Sequence, residues 1–234
     1  MYERTIICLA NSRKPPSGRC IAGRIFDGAK VGAWVRPVSA RASHEVSEEE
    51  RRYETGEKAQ LLDVVTIPLQ MASPSGHQIE NHVLDDQYYW TKRGVATWAQ
   101  IVAAADAYDA SFWRTVQSTF HGSNDKVSEG DAALIACSLK LVVVPKVTLL
   151  VRSESAFEGG HPRRRVRAQF LVQDHYFMLS VTDPEIEDIY LRKGDGTYAV
   201  GPAALCISVA EVWNGFAYRV VASIVTPDRC GFAR

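Results

Sequence analysis

Apolar runs of strand length alternate with polar, turn-forming segments through residues 1–90. Runs rich in Val, Ile and Leu that are bounded by Gly, Pro or charged residues are typical of β-strands. Five strands are therefore predicted, in RTIICLA, GRCIAGRIF, GAWVRPV, EKAQLLDVVTIPLQ and HQIENHVLD. The charged stretch ARASHEVSEEERRYETGEK, between the third and the fourth strand, is compatible with one short helix.

The pattern changes over residues 95–120, which are rich in alanine and poor in strand-forming residues. Apolar residues at helical spacing predict a helix with Thr97 as its N-cap. These residues are Trp98, Ile101, Val102 and Ala105. A second helix is predicted in DASFWRTVQSTF, with its large apolar residues on one side, namely Phe112, Trp113, Val116 and Phe120.

Strand patterns return after residue 131 and continue almost to the end of the chain. The predicted strands are AALIACSLKLVVVPKVTLLVRS, which Pro145 splits, RRVRAQFLVQ, HYFMLSVTDP, ALCISVAEVW and FAYRVVASIVT. The pair Asn214-Gly215 predicts a two-residue hairpin turn before the last strand. The pair Asp195-Gly196, inside RKGDGTY, predicts a further β-turn.

The two halves of the chain repeat one plan. Each shows a strand, a basic loop, two strands, a polar helix-compatible connection and two more strands, at a spacing of roughly 140 residues. This order is that of the OB-fold, a small five-stranded Greek-key barrel. The predicted fold is mainly β with a helical segment, as two tandem OB-like barrels at residues 1–92 and 125–234 joined by a connector at 93–124. Two unrelated β-sandwich halves are the alternative.

Charge is balanced overall but unevenly distributed. The chain has 27 basic and 27 acidic residues, yet residues 1–41 hold eight Lys or Arg against two acids. A basic patch is therefore compatible with a neutral total. The five cysteines are odd in number and form no C-x-x-C pair. They are expected to be buried thiols in a reduced, cytoplasmic compartment. No apolar stretch reaches the length of about 20 residues that a membrane span needs.

Both basic clusters fall in the loop between the first and second strand of a predicted barrel, and this loop flanks the ligand face of an OB-fold. The first cluster and the strands after it contribute Asn11, Ser12, Arg13, Lys14, Arg19 and Arg24, and the second cluster contributes Arg163, Arg164 and Arg165. Cations on loops suit phosphate backbones, and Pro15-Pro16 would stiffen the first loop. Gly18 and Gly159-Gly160 would allow close approach of the backbone.

Aromatic residues near these cations would provide stacking surfaces for bases. Trp34 and Arg36 are the preferred pair, because alternation places both on one face of a strand. Further candidates, which are more often core residues, are Tyr88, Tyr89, Trp90, Tyr176 and Phe177. Trp98, Trp113 and Trp213 are expected to serve packing.

Several of these stretches resemble the dual OB-containing domain proteins of bacteria. The stretches are IICLANSRK, GRCIAG, WVRPVS, DVVTIPL and HQIENHVLD followed by YYW. The resemblance implies two OB-like barrels, recognition of nucleic acid or a nucleotide, and a role in prokaryotic conflict systems. It points to Asn11, Ser12, Arg13, Lys14, Arg19, Trp34, Arg36, Glu80 and Asn81.

The expected function is non-catalytic binding of nucleic acid or a nucleotide, without cofactor, metal or membrane. One alternative is a metal-dependent nuclease in which Glu80, His82 and Asp85 hold Mg²⁺. Glu80 and Asn81 would otherwise be structural, bonding the backbone of the first basic loop. The other alternative is a protein-interaction adaptor that uses residues 95–120. The chain contains no Walker A loop, no dinucleotide-binding glycine motif, no G-x-S-x-G and no zinc-type Cys/His spacing.

Overall fold

Two closed β-barrels make up most of the molecule, in a computed structural model that describes residues 1–14, 17–114, 117–155 and 161–231. The first barrel consists of β1 (Tyr2–Lys14), β2 (Gly18–Phe26), β3 (Val31–Val38), β4 (Asp63–Ala72) and β5 (Asn81–Leu84). Neighbouring strands follow the order β1-β2-β3-β5-β4, and a pairing between β4 and β1 closes the barrel. A sixth strand, β6 (Thr91–Val95), extends this sheet beside β4.

The second barrel repeats this plan. Its strands are β8 (Leu139–Glu154), β9 (Arg163–Val172), β10 (His175–Val181), β11 (Gly196–Val209) and β12 (Phe216–Val225), with β7 (Lys126–Ser128) added beside β12. The order β10-β9-β8-β11-β12 closes through a pairing between β10 and β12, so each barrel contains one parallel contact between its third and fifth strands. Both the predicted fold class and the predicted repeat are therefore confirmed, while the boundaries 1–92, 93–124 and 125–234 stay a prediction.

Five short helices accompany the barrels. They are α1 (Trp98–Ala103), α2 (Ala110–Trp113), α3 (Glu129–Ala132), α4 (Pro184–Lys193) and α5 (Pro227–Gly231). Thr97 caps α1 as predicted, because its side chain accepts from the backbone N–H of Gln100 while the Gln100 side chain accepts from the N–H of Thr97. Helix α4 fills the connection between the third and fourth strands of the second barrel. None of the helices in the described residues is long and apolar enough to cross a membrane.

Two helix predictions were wrong. The charged stretch at 40–58 forms turns and bridges, because its side chains pair locally, as in the Arg41–Glu50 ion pair of 2.9 Å, and it has no apolar stripe to bury. Helix α2 ends at Trp113, and Phe120 is 96% exposed instead of lying on a buried helical side. Val116 lies outside the described residues, as do Pro15-Pro16 and Gly159-Gly160.

Of the two predicted turns, one is formed, and the predicted break of β8 at Pro145 is not. Asn214 and Gly215 both have positive φ, 50° and 77°, as the hairpin turn requires. In RKGDGTY, Gly194 ends α4 with a φ of 98°, and Asp195 does not have the positive φ that the predicted Asp195-Gly196 turn requires. Pro145 does not split β8, because the pairing with β11 shifts register beside it.

Three apolar clusters hold the fold together. One fills the first barrel and another fills the second. The third lies between the barrels, where the outward faces of β1 to β4 meet those of β8, β11 and β12. Successive residues of β1 show the division, since Ile6 and Cys8 belong to the first barrel's interior while Ile7 and Leu9 face the second barrel. All five cysteines are free thiols, of which Cys8 and Cys206 are fully buried.

Candidate nucleic-acid interface

The outer face of the second and third strands carries the ligand in OB-folds. In the first barrel, this face is covered by the connector and by the second barrel. Trp34 is 7% exposed, and its Nε1 donates to Asp106 Oδ2 at 3.1 Å. Arg24 Nη1 forms an ion pair with Asp106 Oδ1 at 2.9 Å. Trp34 and Arg24, both predicted to bind a ligand, therefore contact Asp106 of the connector instead.

Arg36 lies in the same covered region. It is 3% exposed, forms an ion pair with Glu80 at 3.1 Å and donates to Ser138 Oγ at 2.7 Å. Glu80 also accepts from the backbone N–H of Ser138. Glu80 thus has a structural role as predicted, but its partners lie at the start of the second barrel and not in the first basic loop. Asn81 is buried as well, and its Nδ2 donates to Gln78 Oε1 at 3.4 Å.

Two cations of the first loop, Arg13 and Lys14, are paired with acids of the second barrel. Arg13 bonds Glu187 at 3.1 Å and Asp188 at 2.7 Å, both on α4. Lys14 bonds Glu211 at 3.1 Å. The first loop therefore joins the two barrels, and a ligand would have to displace these acids to reach its cations.

The other residues predicted around this loop lie further along its strands. Ser12 is 5% exposed, the Nδ2 of Asn11 donates to Ala59 O at 3.3 Å, and the backbone of Arg19 pairs with that of Val46.

The equivalent face of the second barrel carries solvent-exposed arginines. Arg163, Arg164 and Arg165 begin β9 and are exposed, opposite the end of β8. Arg164 pairs with Asp195 at 2.7 Å. In the part of the chain that the structure describes, Arg163 and Arg165 form no ion pair, although Glu187 lies near enough for Arg165 to affect its pKa. Burial raises the pKa of that carboxyl, and Arg13 and Arg165 oppose the rise.

Two exposed aromatic rings lie near arginines of β8 and β9, since Phe120 lines one cleft with Arg165 and Tyr176 is close enough to Arg152 for that charge to affect its pKa. Phe120 is 96% exposed and Tyr176 is 42% exposed. Arg152, which pairs with Arg165 across the β8–β9 ladder, donates to the carbonyl of His121 at 3.3 Å. Burial raises the pKa of Tyr176, while the nearby positive charge of Arg152 lowers it. We call this surface the arginine–aromatic face and define it by Arg152, Arg163, Arg165, Phe120 and Tyr176.

Hydrogen bonds and close packing hold the segment that carries Phe120, residues 117–125, in place. Asp125 accepts from the backbone N–H and the hydroxyl of Thr119, at 2.7 and 2.6 Å. A Cβ on Gly122 would lie 1.8 Å from a carboxylate oxygen of Asp125, so only glycine fits there. The Nδ2 of Asn124 donates to the carbonyl of Tyr176 at 2.9 Å. These contacts present Phe120 on a defined turn.

A buried ion pair supports the strands beneath this face. Arg167 is 6% exposed and bonds Glu154 at 2.8 Å. Burial would raise the pKa of Glu154, but its bonds to Arg167 hold that pKa below the ordinary value. A cleft of about 240 Å³ separates the 117–125 segment from these strands, and Phe120, Arg165 and Arg167 are among its lining residues.

Sequence reasoning identified Arg163 and Arg165 but missed Arg152 and Phe120. It placed Phe120 on the apolar side of a helix that the turn signal HGSND ends, whereas helix α2 ends at Trp113. Among the other aromatic candidates, Phe177 and Trp90 are buried core residues, while Tyr88 and Tyr89 are exposed beside a separate cavity. Trp213 was predicted to pack but is 68% exposed, because it immediately precedes the exposed hairpin turn.

The residues of the nuclease alternative do not come together. Glu80 binds Arg36 and Ser138, the Nδ1 of His82 bonds the hydroxyl of Tyr2, and Asp85 accepts from the N–H of Gln87 at 3.4 Å. In the described ranges, no group of three or more His, Cys, Asp or Glu residues is arranged to hold a metal ion.

Comparison with known families agrees with this geometry. A family model described as a dual OB-containing domain matches residues 4–224. No curated protein and no solved structure matches the chain significantly.

Proposed function

The chain belongs to the dual OB-containing domain family, and on that premise we propose that its second barrel binds single-stranded nucleic acid through the arginine–aromatic face. The observation that carries this proposal is that Arg163 and Arg165 are exposed and form no ion pair in the described residues, while Arg165 lines one cleft with Phe120, whose ring is 96% exposed. Exposed cations bind phosphates, and exposed rings stack on bases of any sequence.

The second and third strands are covered in the first barrel and exposed in the second, and this difference supports the choice of the arginine–aromatic face. The second and third strands of the first barrel are covered by the connector and the second barrel, so Arg24, Trp34 and Arg36 serve as internal contacts. The matching strands of the second barrel present charged and aromatic side chains to solvent. The first barrel then acts as a support for the second.

Neither alternative function gains a matching site in the described residues. The nuclease lacks a converged ligand set, and Phe112 and Trp113 of the adaptor segment are 0% and 4% exposed, so they are not available to a protein partner, while the exposed Phe120 of that segment belongs to the arginine–aromatic face. Non-catalytic binding and the role in conflict systems that the family resemblance implies stay predictions.

Charge reversal on the arginine–aromatic face tests the proposal. The double variant Arg163→Glu/Arg165→Glu is expected to weaken binding of a single-stranded oligonucleotide at least tenfold, because two phosphate contacts become repulsive. The binding constant of the unmodified protein should also fall roughly tenfold when salt rises from about 50 to about 200 mM. Fluorescence anisotropy with a labelled oligonucleotide measures both effects.

The matched control is Lys30→Glu/Lys146→Glu, which changes the net charge equally at two exposed lysines outside this face. It should bind nearly as the unmodified protein does. Equal weakening by both double variants, or no binding by the unmodified protein at low salt, would contradict the proposal.

Stacking on Phe120 is tested separately. Phe120→Ala is expected to cost about 1–3 kcal/mol of binding free energy while leaving the salt dependence unchanged, since it removes one stacking surface and no charge. The melting temperature should not change, because the ring is 96% exposed. Tyr108→Ala, at a ring 44% exposed in the connector, is the control and should not affect binding. A steeper or shallower salt dependence in Phe120→Ala would mean that the ring acts through the arginines and not by stacking.

A further inference from the structure

A second polar cavity lies where the two barrels meet, away from the arginine–aromatic face. Its volume is about 150 Å³. From the first barrel it is lined by Asn11, Arg19 and Arg51, and from the second by Asp183, Ser223 and Arg229. A cavity of this volume is large enough for one small molecule or ion and too small for a whole nucleotide.

Three polar atoms of this lining are buried and lack a partner in the described residues. They are Nε of Arg51, Nη1 of Arg19 and Oδ1 of Asn11. Arg51 is only 4% exposed, and in the described residues its side chain donates one hydrogen bond, from Nη1 to Ala59 O at 2.7 Å. An unpaired buried donor destabilises the fold, and such atoms in a native protein indicate an ion or water that completes them.

The lining carries more positive charge than its acids balance. Burial, and after it the charge of Arg19, lowers the pKa of Arg51, so the two arginines lie close enough to repel each other. Glu48 is the acid nearest both, but it is exposed, lies 3.7 Å from Arg51 and also bonds Lys58.

The acids that line the cavity already have partners. Asp63 accepts from Tyr53 and Lys92, while Asp183 and Glu185 both bond Arg229. Two arginines with orphaned N–H groups, next to acids already in use, form a site for an oxyanion.

The orphaned acceptor makes the site more selective. The Nδ2 of Asn11 donates to Ala59 O at 3.3 Å, which fixes Oδ1 as the free, hydrogen-bond-accepting end of the amide. A ligand that satisfies this atom must donate a proton while it accepts from the arginines. Hydrogen phosphate does both, since it carries one P–OH group and three acceptor oxygens. Sulfate has no proton to donate, and neither has a fully ionised phosphate monoester.

We propose that the cavity between the barrels, the Arg19–Arg51 pocket, binds hydrogen phosphate. Arg19 and Arg51 donate to its oxygens, and Asn11 accepts from its hydroxyl group. The ion neutralises the excess charge in a cavity that both barrels line, so binding is expected to stabilise the whole chain.

Isothermal titration with inorganic phosphate, at constant ionic strength, tests this inference on the full chain. Phosphate is expected to bind at one site and, at ten times its Kd, to raise the melting temperature by roughly 3–5 °C. Sulfate and a phosphate monoester should bind at least tenfold more weakly, because Oδ1 of Asn11 would remain unpaired. Failure of phosphate to bind, or equal binding of sulfate, would overturn the proposal.

Two variants place the effect in the pocket. Arg19→Met should weaken phosphate binding at least tenfold by removing one charged donor. Arg51→Lys keeps the charge and a donor for Ala59 O but lacks Nε, so it should weaken phosphate binding several-fold. This variant keeps the inference testable if Arg19→Met does not fold. Unchanged affinity in both would exclude this pocket.

The Arg163→Glu/Arg165→Glu variant separates this inference from the proposed function. It should bind phosphate normally while losing affinity for oligonucleotide. Loss of both activities in that variant would place the phosphate on the arginine–aromatic face and contradict a separate pocket.

Discussion

Replacement of Glu80 by alanine is expected to lower the free energy of unfolding by about 3–5 kcal/mol, because it leaves a buried positive charge without its partner. Arg36 is 3% exposed and its ion pair with Glu80 measures 3.1 Å. In a chain of this length, that loss corresponds to a fall in melting temperature of roughly 10 °C. Urea denaturation followed by circular dichroism measures the free energy, and a thermal scan measures the midpoint.

Two further variants show whether burial is the reason. Glu49→Ala breaks the exposed Arg52–Glu49 ion pair, 2.7 Å long, and should cost at most about 1 kcal/mol. The double variant Arg36→Met/Glu80→Met removes both charges and should recover much of the stability that Glu80→Ala loses, since two apolar side chains need no ion pair. If Glu80→Ala lowers the free energy of unfolding no more than Glu49→Ala does, the Arg36–Glu80 pair and its contacts with Ser138 do not hold the barrels together.

Local patterns were sufficient to predict both barrels. Strand periodicity and turn residues depend on neighbours in sequence, so the ten barrel strands and the Asn214-Gly215 turn were expected. The repeated order of strands then indicated the Greek-key topology without any long-range contact. The Thr97 cap is equally local, since its partner Gln100 lies three residues away.

Contacts between the halves could not be predicted in the same way. Alternation correctly placed Trp34 and Arg36 on one face of β3, but it does not show what covers that face. The hydrogen bond from Arg36 to Ser138 spans 102 positions in the sequence, and the ion pair from Arg13 to Glu187 spans 174. The sequence locates a cluster of basic residues, but only the fold shows which of these residues already form ion pairs.

Docking of the barrels also explains why Arg13 of the first basic cluster is ion-paired while Arg163 and Arg165 of the second stay exposed. The first loop reaches helix α4 of the second barrel, whose acids Glu187 and Asp188 pair with Arg13. The second cluster lies on β9, where Arg163 and Arg165 remain exposed. Docking of one barrel on the other therefore pairs Arg13 of the first cluster and leaves Arg163 and Arg165 of the second without an ion pair in the described residues.

Replacement of Arg219 by methionine is expected to cost about 3 kcal/mol of stability and also to weaken oligonucleotide binding, although Arg219 does not lie on the arginine–aromatic face. Arg219 is 1% exposed and donates to the carbonyls of Phe112, Arg114 and Asn124. Burial lowers the pKa of this guanidinium to about 10, so it stays charged at neutral pH beside Asp125. Without it, the three carbonyls lose their donor, the Asp125 carboxylate loses a nearby positive charge, and the 117–125 segment loses its anchor.

The loosened segment would no longer hold Phe120 next to the arginines, so Arg219→Met should weaken binding by at least as much as Phe120→Ala does. Arg114→Met is the matched control, because Arg114 is exposed, and it should change stability by no more than about 0.5 kcal/mol. Thermal unfolding and anisotropy, measured below the melting temperature of every variant, provide both readouts. A large loss of stability with unchanged oligonucleotide affinity would show that the anchored segment does not position Phe120 for binding, and the arginines alone would then account for the interface.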